Sequence, residues 1–376
     1  MSSRPLSSST HGGGVRRSLP WRLTSAALMG ATGALSKAFL FGLNDVEAIG
    51  LPGFLEVLDR RKNVKERKRG LVTVCNHISV LDDPLVWGVL PLRYGFDPYN
   101  HRWSLGAHDL MFSNKVMSNF FSLGQVLPTH RKLHSHYGGP FQATMNQAIK
   151  LLSAQPFPAQ KSTSMFTTNG QDSFFSPAAE PERRHGWIHV FPEGFVHQHH
   201  TLAMRYFKWG VARLILEAEP LGPELVPMFV DGTQHIMPED RKFLRFLPRP
   251  GKKITVAFGD SIDTDVSFAD LRDRWKELVA KHQPQDTSGP GYLAVENQQG
   301  RAPAKTVGEF NNLPHELKYG REALALRIET TKRVRDEVSK LRRRLGYPEE
   351  PPSNELAEAW IRSGIEPKTG KPAENT

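Results

Sequence analysis

Only one cysteine, Cys75, occurs in the chain, so no internal disulfide can form and no thiolate-based zinc site is available. No acidic residue precedes Asp45. No long stretch is uninterrupted apolar sequence: Leu23 to Leu43, the most hydrophobic, is broken by threonine, serine, glycine and Lys37. With 39% hydrophobic residues and a mean hydropathy of -0.44, a polytopic membrane protein is excluded. What the chain has in excess is positive charge, 49 Lys and Arg against 39 Asp and Glu, a net +10. That balance suits polyanions, whether nucleic acid, acidic substrates or anionic lipid.

Its 376 residues divide by composition. Residues 1–44 form a basic arm with Arg4, Arg16, Arg17, Arg22 and Lys37. It reads as a mitochondrial-type leader or membrane arm, and its apolar half as an interfacial helix. Residues 60–69 carry seven positive charges against Glu66, a solvated run or an attraction to an anionic bilayer. Gly70 to Cys75, Trp187 to Phe191, Leu225 to Phe229 and Ile254 to Phe258 read as strands. Helical patterns cover Asp83 to Leu90, Leu202 to Leu216, Asp270 to His282 and Glu316 to Leu345, the last with an apolar stripe through Leu324, Ile328, Val338, Leu341 and Leu345. The expected organisation is a main α/β domain over 45–282, a surface insertion at 155–186, a polar linker at 283–312, a C-terminal amphipathic helix at 313–346 and a loose tail at 347–376.

The sharpest chemical pattern runs from Asn76 to Pro84. His77 follows a strand, and Asp82 lies five residues on. On one continuous helix these two would face roughly 140° apart. They meet only if His77 sits in the turn and the helix starts after it, with Asp82 or Asp83 as cap and Pro84 in the first turn. A carboxylate so placed would orient the imidazole and stabilise its protonated form, which is the arrangement of a general base without a nucleophilic serine. Further blocks follow: Gly124 to Arg131, with a guanidinium suited to phosphate; His189 to Gly194, a strand ending in an acidic turn; and Val226 to Phe229.

In this order and spacing the blocks resemble the glycerolipid acyltransferase superfamily. A narrower likeness to mitochondrial phospholipid–lysophospholipid transacylases is carried by Trp87-Gly88, Phe120 to Gly124, Arg205 through Lys208 to Gly210, and the arginine-rich helix ending at Leu345-Gly346. The resemblance implies a mixed sheet flanked by helices, with an N-terminal interfacial helix and a C-terminal amphipathic helix. It implies His77 as base and acid, Asp82 as its orienter, and a substrate shelf of Asn76, Gly124, Arg131, Phe191, Pro192, Glu193 and Gly194. The implied partners are phospholipids and lysophospholipids (monolysocardiolipin, cardiolipin, phosphatidylcholine) at mitochondrial inner and outer membranes facing the intermembrane space, with no metal, nucleotide or coenzyme A. An acyl-CoA-dependent lysophospholipid acyltransferase and a non-enzymatic membrane scaffold remain alternatives.

Membrane contact is expected from Leu85, Trp87, Leu90, Trp209, Phe243 and Phe246, peripheral or monotopic rather than spanning. The basic–aromatic run Arg241 to Leu247 would also suit single-stranded nucleic acid. Given the resemblance it is assigned to a lipid surface, and no nucleic-acid partner is expected. His197, His199 and His200 lack a helical metal-binding spacing and are assigned to a solvated loop. Oligomeric state is open.

Overall fold

Two β-branched runs, Leu71–Val74 and Trp187–Val190, are strands buried along their whole length. A parallel strand covered on both faces needs such a run rather than alternation. The computed structural model describes residues 16–154, 164–240, 246–282 and 313–363. Its strands in chain order are β1 (Asp45–Ile49), β2 (Leu71–Val74), β3 (Arg102–Ala107), β4 (Val126–Thr129), β5 (Met165–Phe166), β6 (Phe174–Phe175), β7 (Trp187–Val190), β8 (Glu224–Asp231), β9 (Lys253–Phe258) and β10 (Ile262–Asp263).

The main sheet runs β1-β9-β8-β2-β7-β3-β4, with β10 beside β8, and β5 pairs with β6 in a separate hairpin. Strands β8, β2, β7, β3 and β4 are mutually parallel, whereas β9 is antiparallel to β8. Five carboxyl ends therefore share one edge of the sheet, where open α/β folds place their ligands. Helices flank this mixed sheet, as the resemblance implied.

The N-terminal helix spans Leu19–Leu43 and is long and apolar enough to cross a membrane by length and composition. It buries Ser25, Met29, Ser36 and Leu40 and leaves Leu19, Leu23 and Leu35 exposed. Its close approach to the short helices at 82–89 depends on Gly88, where a Cβ would lie 2.9 Å from that of Ser36.

Several expectations need correction. Leu85, Trp87 and Leu90 are core residues rather than membrane contacts, each 5% exposed or less. Trp87 packs edge-on against Trp187 and His189, and its indole N–H donates to Asp83. Of the basic run, Arg61 and Arg67 are buried and donate to backbone carbonyls of Arg69 and His185, and of Arg61 and Tyr99 respectively. The helix expected from Leu202 begins only at Gly210. The described part of the 155–186 stretch is tied to the core, with Ser176 Oγ donating to Gln147 Oε1 at 2.7 Å and the buried Arg183 donating through Nη1 to Pro98 O at 3.1 Å. The tail expected to be loose from 347 holds Glu350 paired with the buried Arg335 and a helix, Ala357–Ser363, with Trp360 buried. On the long basic helix, Arg321–Arg344, Ile328 is exposed, and Ala323, Leu326, Val334, Val338 and Leu341 form the buried stripe. Phe243, the 283–312 linker and residues 1–15 lie outside the described residues.

Candidate active site

Beyond Val74 the chain is tied to the neighbouring strand by Asn76. Its side-chain amide accepts from Val230 N at 2.8 Å and donates to Val230 O at 2.9 Å, as an extra rung between β2 and β8. Asn76 is thus a structural clip with both amide ends occupied, a correction to its expected contact with substrate.

The clip sets His77 at the carboxyl edge. Its backbone N–H donates to Glu193 Oε1 at 2.9 Å, and its ring stacks on Phe191 with centroids 4.2 Å apart. A short helix begins at Asp82, so the histidine lies in the preceding turn. Asp82 Oδ2 lies 2.9 Å from His77 Nδ1 and accepts the Ile78 and Ser79 amides at 2.7 and 2.8 Å. Asp82 Oδ1 accepts from Thr233 Oγ1 at 2.6 Å. The carboxylate is fully buried, and these donors compensate its lost hydration. An ionised carboxylate only accepts, so the Nδ1 proton faces Asp82. Nε2 is left with its lone pair, makes no hydrogen bond among the described residues, and belongs to a side chain that is 21% exposed. This pair can take up a proton at Nε2 and hold the resulting imidazolium.

Around it, β7 ends in the turn Phe191 to Gly194. Gly194 adopts φ +67, which favours glycine. A Cβ there would sit 2.6 Å from Lys208 Nζ. Glu193 is buried, with Oε1 on His77 N and Oε2 on Arg205 N at 2.8 Å. Burial pushes its carboxyl up to about 7. Both oxygens are engaged by backbone amides, so Glu193 braces the loops beside His77, a correction to its expected place on the substrate shelf. Pro192 contributes its carbonyl to Lys208 N at 2.8 Å.

Lys208, Arg205 and Arg131 gather positive charge on this edge. Burial, then the charges of Arg205 and Arg131, bring the Lys208 ammonium down to about 8. Arg205 Nε and Nη1 are buried without hydrogen-bond partners among the described residues. Arg131 pairs with Asp109, Nε to Oδ1 at 3.1 Å. Gly124 ends the helix Lys115–Leu123, its backbone N–H donating to Phe120 O. Trp209 is 39% and Phe246 79% exposed.

Asp83 faces the other way. Burial pushes its carboxyl up, but Arg102 outweighs that and holds it at about 2. Thr233 had no signal in local spacing, since it reaches Asp82 from the end of β8. Arg205 and Lys208 stood in the sequence as marks of resemblance without an assigned role.

Residues 57–231 match the family model described as Acyltransferase. The chain is 37% identical over 360 residues to Tafazzin of Saccharomyces cerevisiae, covering 92% of this chain and 85% of that protein. It is 34% identical over 236 residues to Taffazin of Dictyostelium discoideum, covering 62% of this chain and 67% of that one. An N-acylphosphatidylethanolamine synthase of Arabidopsis thaliana is similar at 32% over 198 residues, with 52% of this chain and 57% of that protein covered.

Proposed function

Because the chain belongs to the tafazzin family and is a phospholipid acyltransferase, we propose that it moves an acyl chain from a phospholipid such as phosphatidylcholine onto a lysophospholipid, chiefly monolysocardiolipin, rebuilding cardiolipin without coenzyme A. The observation that carries the chemistry is the imidazole held by Asp82 through Nδ1 with Nε2 unengaged. In this reading His77 Nε2 takes the proton of the acceptor hydroxyl as its oxygen attacks the donor's ester carbonyl. The tetrahedral intermediate collapses, breaking the donor's ester bond, and Nε2 returns the proton to the departing glycerol oxygen. The donor becomes a lysolipid and the acceptor gains its acyl chain, so that monolysocardiolipin becomes cardiolipin and no external proton or activated thioester is consumed. Positioned proton transfer of this kind contributes ~10²–10⁴-fold, and Asp82 stabilises the imidazolium between the two steps.

Lys208, Arg205 and Arg131 supply the anion shelf in this reading, and lipid phosphates are its ligands. In this reading the bilayer is met by an apolar face to which Leu23 and Leu35 of the N-terminal helix contribute with Phe96, Val116 and Phe120, all exposed. The helix that carries Val116 and Phe120 is tied to the N-terminal helix by Ser25 Oγ donating to Leu123 O at 2.6 Å. Such a face suits monotopic insertion into one leaflet, with basic groups attracted to anionic headgroups. Mitochondrial membranes facing the intermembrane space are the proposed location.

Purified protein, vesicles of acyl-labelled phosphatidylcholine and monolysocardiolipin test the reaction. Label should reach cardiolipin in the absence of any coenzyme A. A strict requirement for acyl-CoA would overturn the transacylase reading in favour of a lysophospholipid acyltransferase.

A further inference from the structure

Further along the same sheet edge, two histidines that the reaction does not use lie together. His108 follows β3 and His130 follows β4, and their rings stack with centroids 4.3 Å apart and planes 22° from parallel. The loop between β5 and β6 brings Asp172 onto them, with Oδ2 3.2 Å from His108 Nε2. His130 Nε2 lies 2.8 Å from Thr168 Oγ1, whose hydroxyl also reaches Asp172. The carboxylate is itself fixed, because Oδ1 accepts from Thr167 Oγ1 at 2.9 Å and Thr168 N at 2.6 Å. One donor atom from each of His108, His130 and Asp172 falls within 4.8 Å of the others. His130 is 7% exposed, and the other two side chains are 21% and 15% exposed.

We propose that His108, His130 and Asp172 bind one zinc ion, with water in the fourth position. The donor set is chemically apt: two imidazole nitrogens and a carboxylate oxygen are zinc ligands, and three protein ligands plus water is a recurring arrangement. Tetrahedral bonds of about 2.0–2.1 Å place ligand atoms ~3.3 Å apart; the His108–Asp172 edge, at 3.2 Å, has that spacing already, and binding turns the stacked rings so that a lone pair from each meets the ion. The hydrogen bonds that orient Asp172 are the outer support such ligands need. An ion here pins the β5–β6 hairpin to the ends of β3 and β4. It also fixes the backbone of Asp109 and Arg131, the residues next to each histidine, and so holds the outer end of the basic shelf. β3 lies two strands from β2, on the order of 10 Å from the His77 turn. The ion acts here by tying these loop ends together, away from His77, and its presence does not depend on the reaction proposed above.

The test uses the full chain, freed of any affinity tag, stripped with a chelator, reloaded with Zn2+ and desalted. Elemental analysis should find one zinc per chain, and zinc should raise the melting temperature. Asp172→Asn and His130→Ala should each weaken binding on the order of 100-fold and abolish the zinc-dependent rise in melting temperature. A His199→Ala/His200→Ala double variant should retain both. Asp172→Asn keeps the side chain's size, so its circular dichroism separates lost binding from lost folding. Absence of stoichiometric zinc in the wild type would overturn the site. So would zinc retained in Asp172→Asn and His130→Ala but lost with His199 and His200.

Discussion

Thr233 Oγ1 donates to Asp82 Oδ1 at 2.6 Å, joining the end of β8 to the carboxylate that faces the His77 ring. The contact spans 151 positions of sequence and fills the acceptor site that the His77 loop leaves open. Thr233→Val keeps the shape and removes the donor. A buried carboxylate oxygen left unsatisfied costs about 1–3 kcal/mol of stability. We expect a lower melting temperature and roughly tenfold lower kcat, read by calorimetry and the vesicle assay. An unchanged pair of values would remove Thr233 from the positioning of the dyad.

Asp82→Asn tests the tautomer. An amide that turns its NH2 towards Nδ1 moves the imidazole proton to Nε2, where a base needs a lone pair. Transfer should fall ~10²–10⁴-fold while vesicle binding persists. Loss of binding together with transfer would point to collapse of the loop instead.

Lys208 links charge to pH. Burial first, and Arg205 and Arg131 next, bring its ammonium down to about 8. It is charged below that value and neutral above it. The KM for an anionic lysolipid should therefore rise as pH increases through 8. Lys208→Met should raise KM about tenfold at neutral pH, since a hydrogen bond to a charged group contributes about 1.5–3 kcal/mol. Its KM should also lose that alkaline rise. An identical pH profile in variant and wild type would assign the dependence elsewhere.

How much of this could be read from the sequence depended on distance along the chain. His77 and Asp82 are five residues apart, so strand, turn and helix cap were enough to bring them together. Thr233 was illegible because only the β2–β8 pairing delivers it. Residues 202–209 have helical composition, yet other side chains take their backbone groups. Glu350 accepts Met204 N, Arg342 donates to Leu202 O, and Glu193 accepts Arg205 N. Tertiary partners of this kind override local propensity. The Leu85, Trp87 and Leu90 cluster beside the dyad looked like a membrane segment because a buried core and a lipid face share one composition; the N-terminal helix and Trp187 decide it by covering them.

Stability should weaken on acidification through His101 and His189. Burial lowers both to about 3 from the ordinary 6.5. The unfolded chain takes up these protons below 6.5, whereas the folded chain resists until about 3. Stability is therefore lost as pH falls through that window, at about 1.4 kcal/mol per pH unit for each histidine. In His189→Leu the melting temperature should fall less steeply between about pH 6 and pH 5 than in the wild type. Equal slopes would show that His189 does not contribute.

The most direct measurement compares wild type with His77→Ala on vesicles holding acyl-labelled phosphatidylcholine and monolysocardiolipin, with no coenzyme A added. Wild type should pass label to cardiolipin. The variant should bind the vesicles equally and transfer ~10²–10⁴-fold more slowly. Comparable transfer by the two proteins would contradict a proton shuttle at His77.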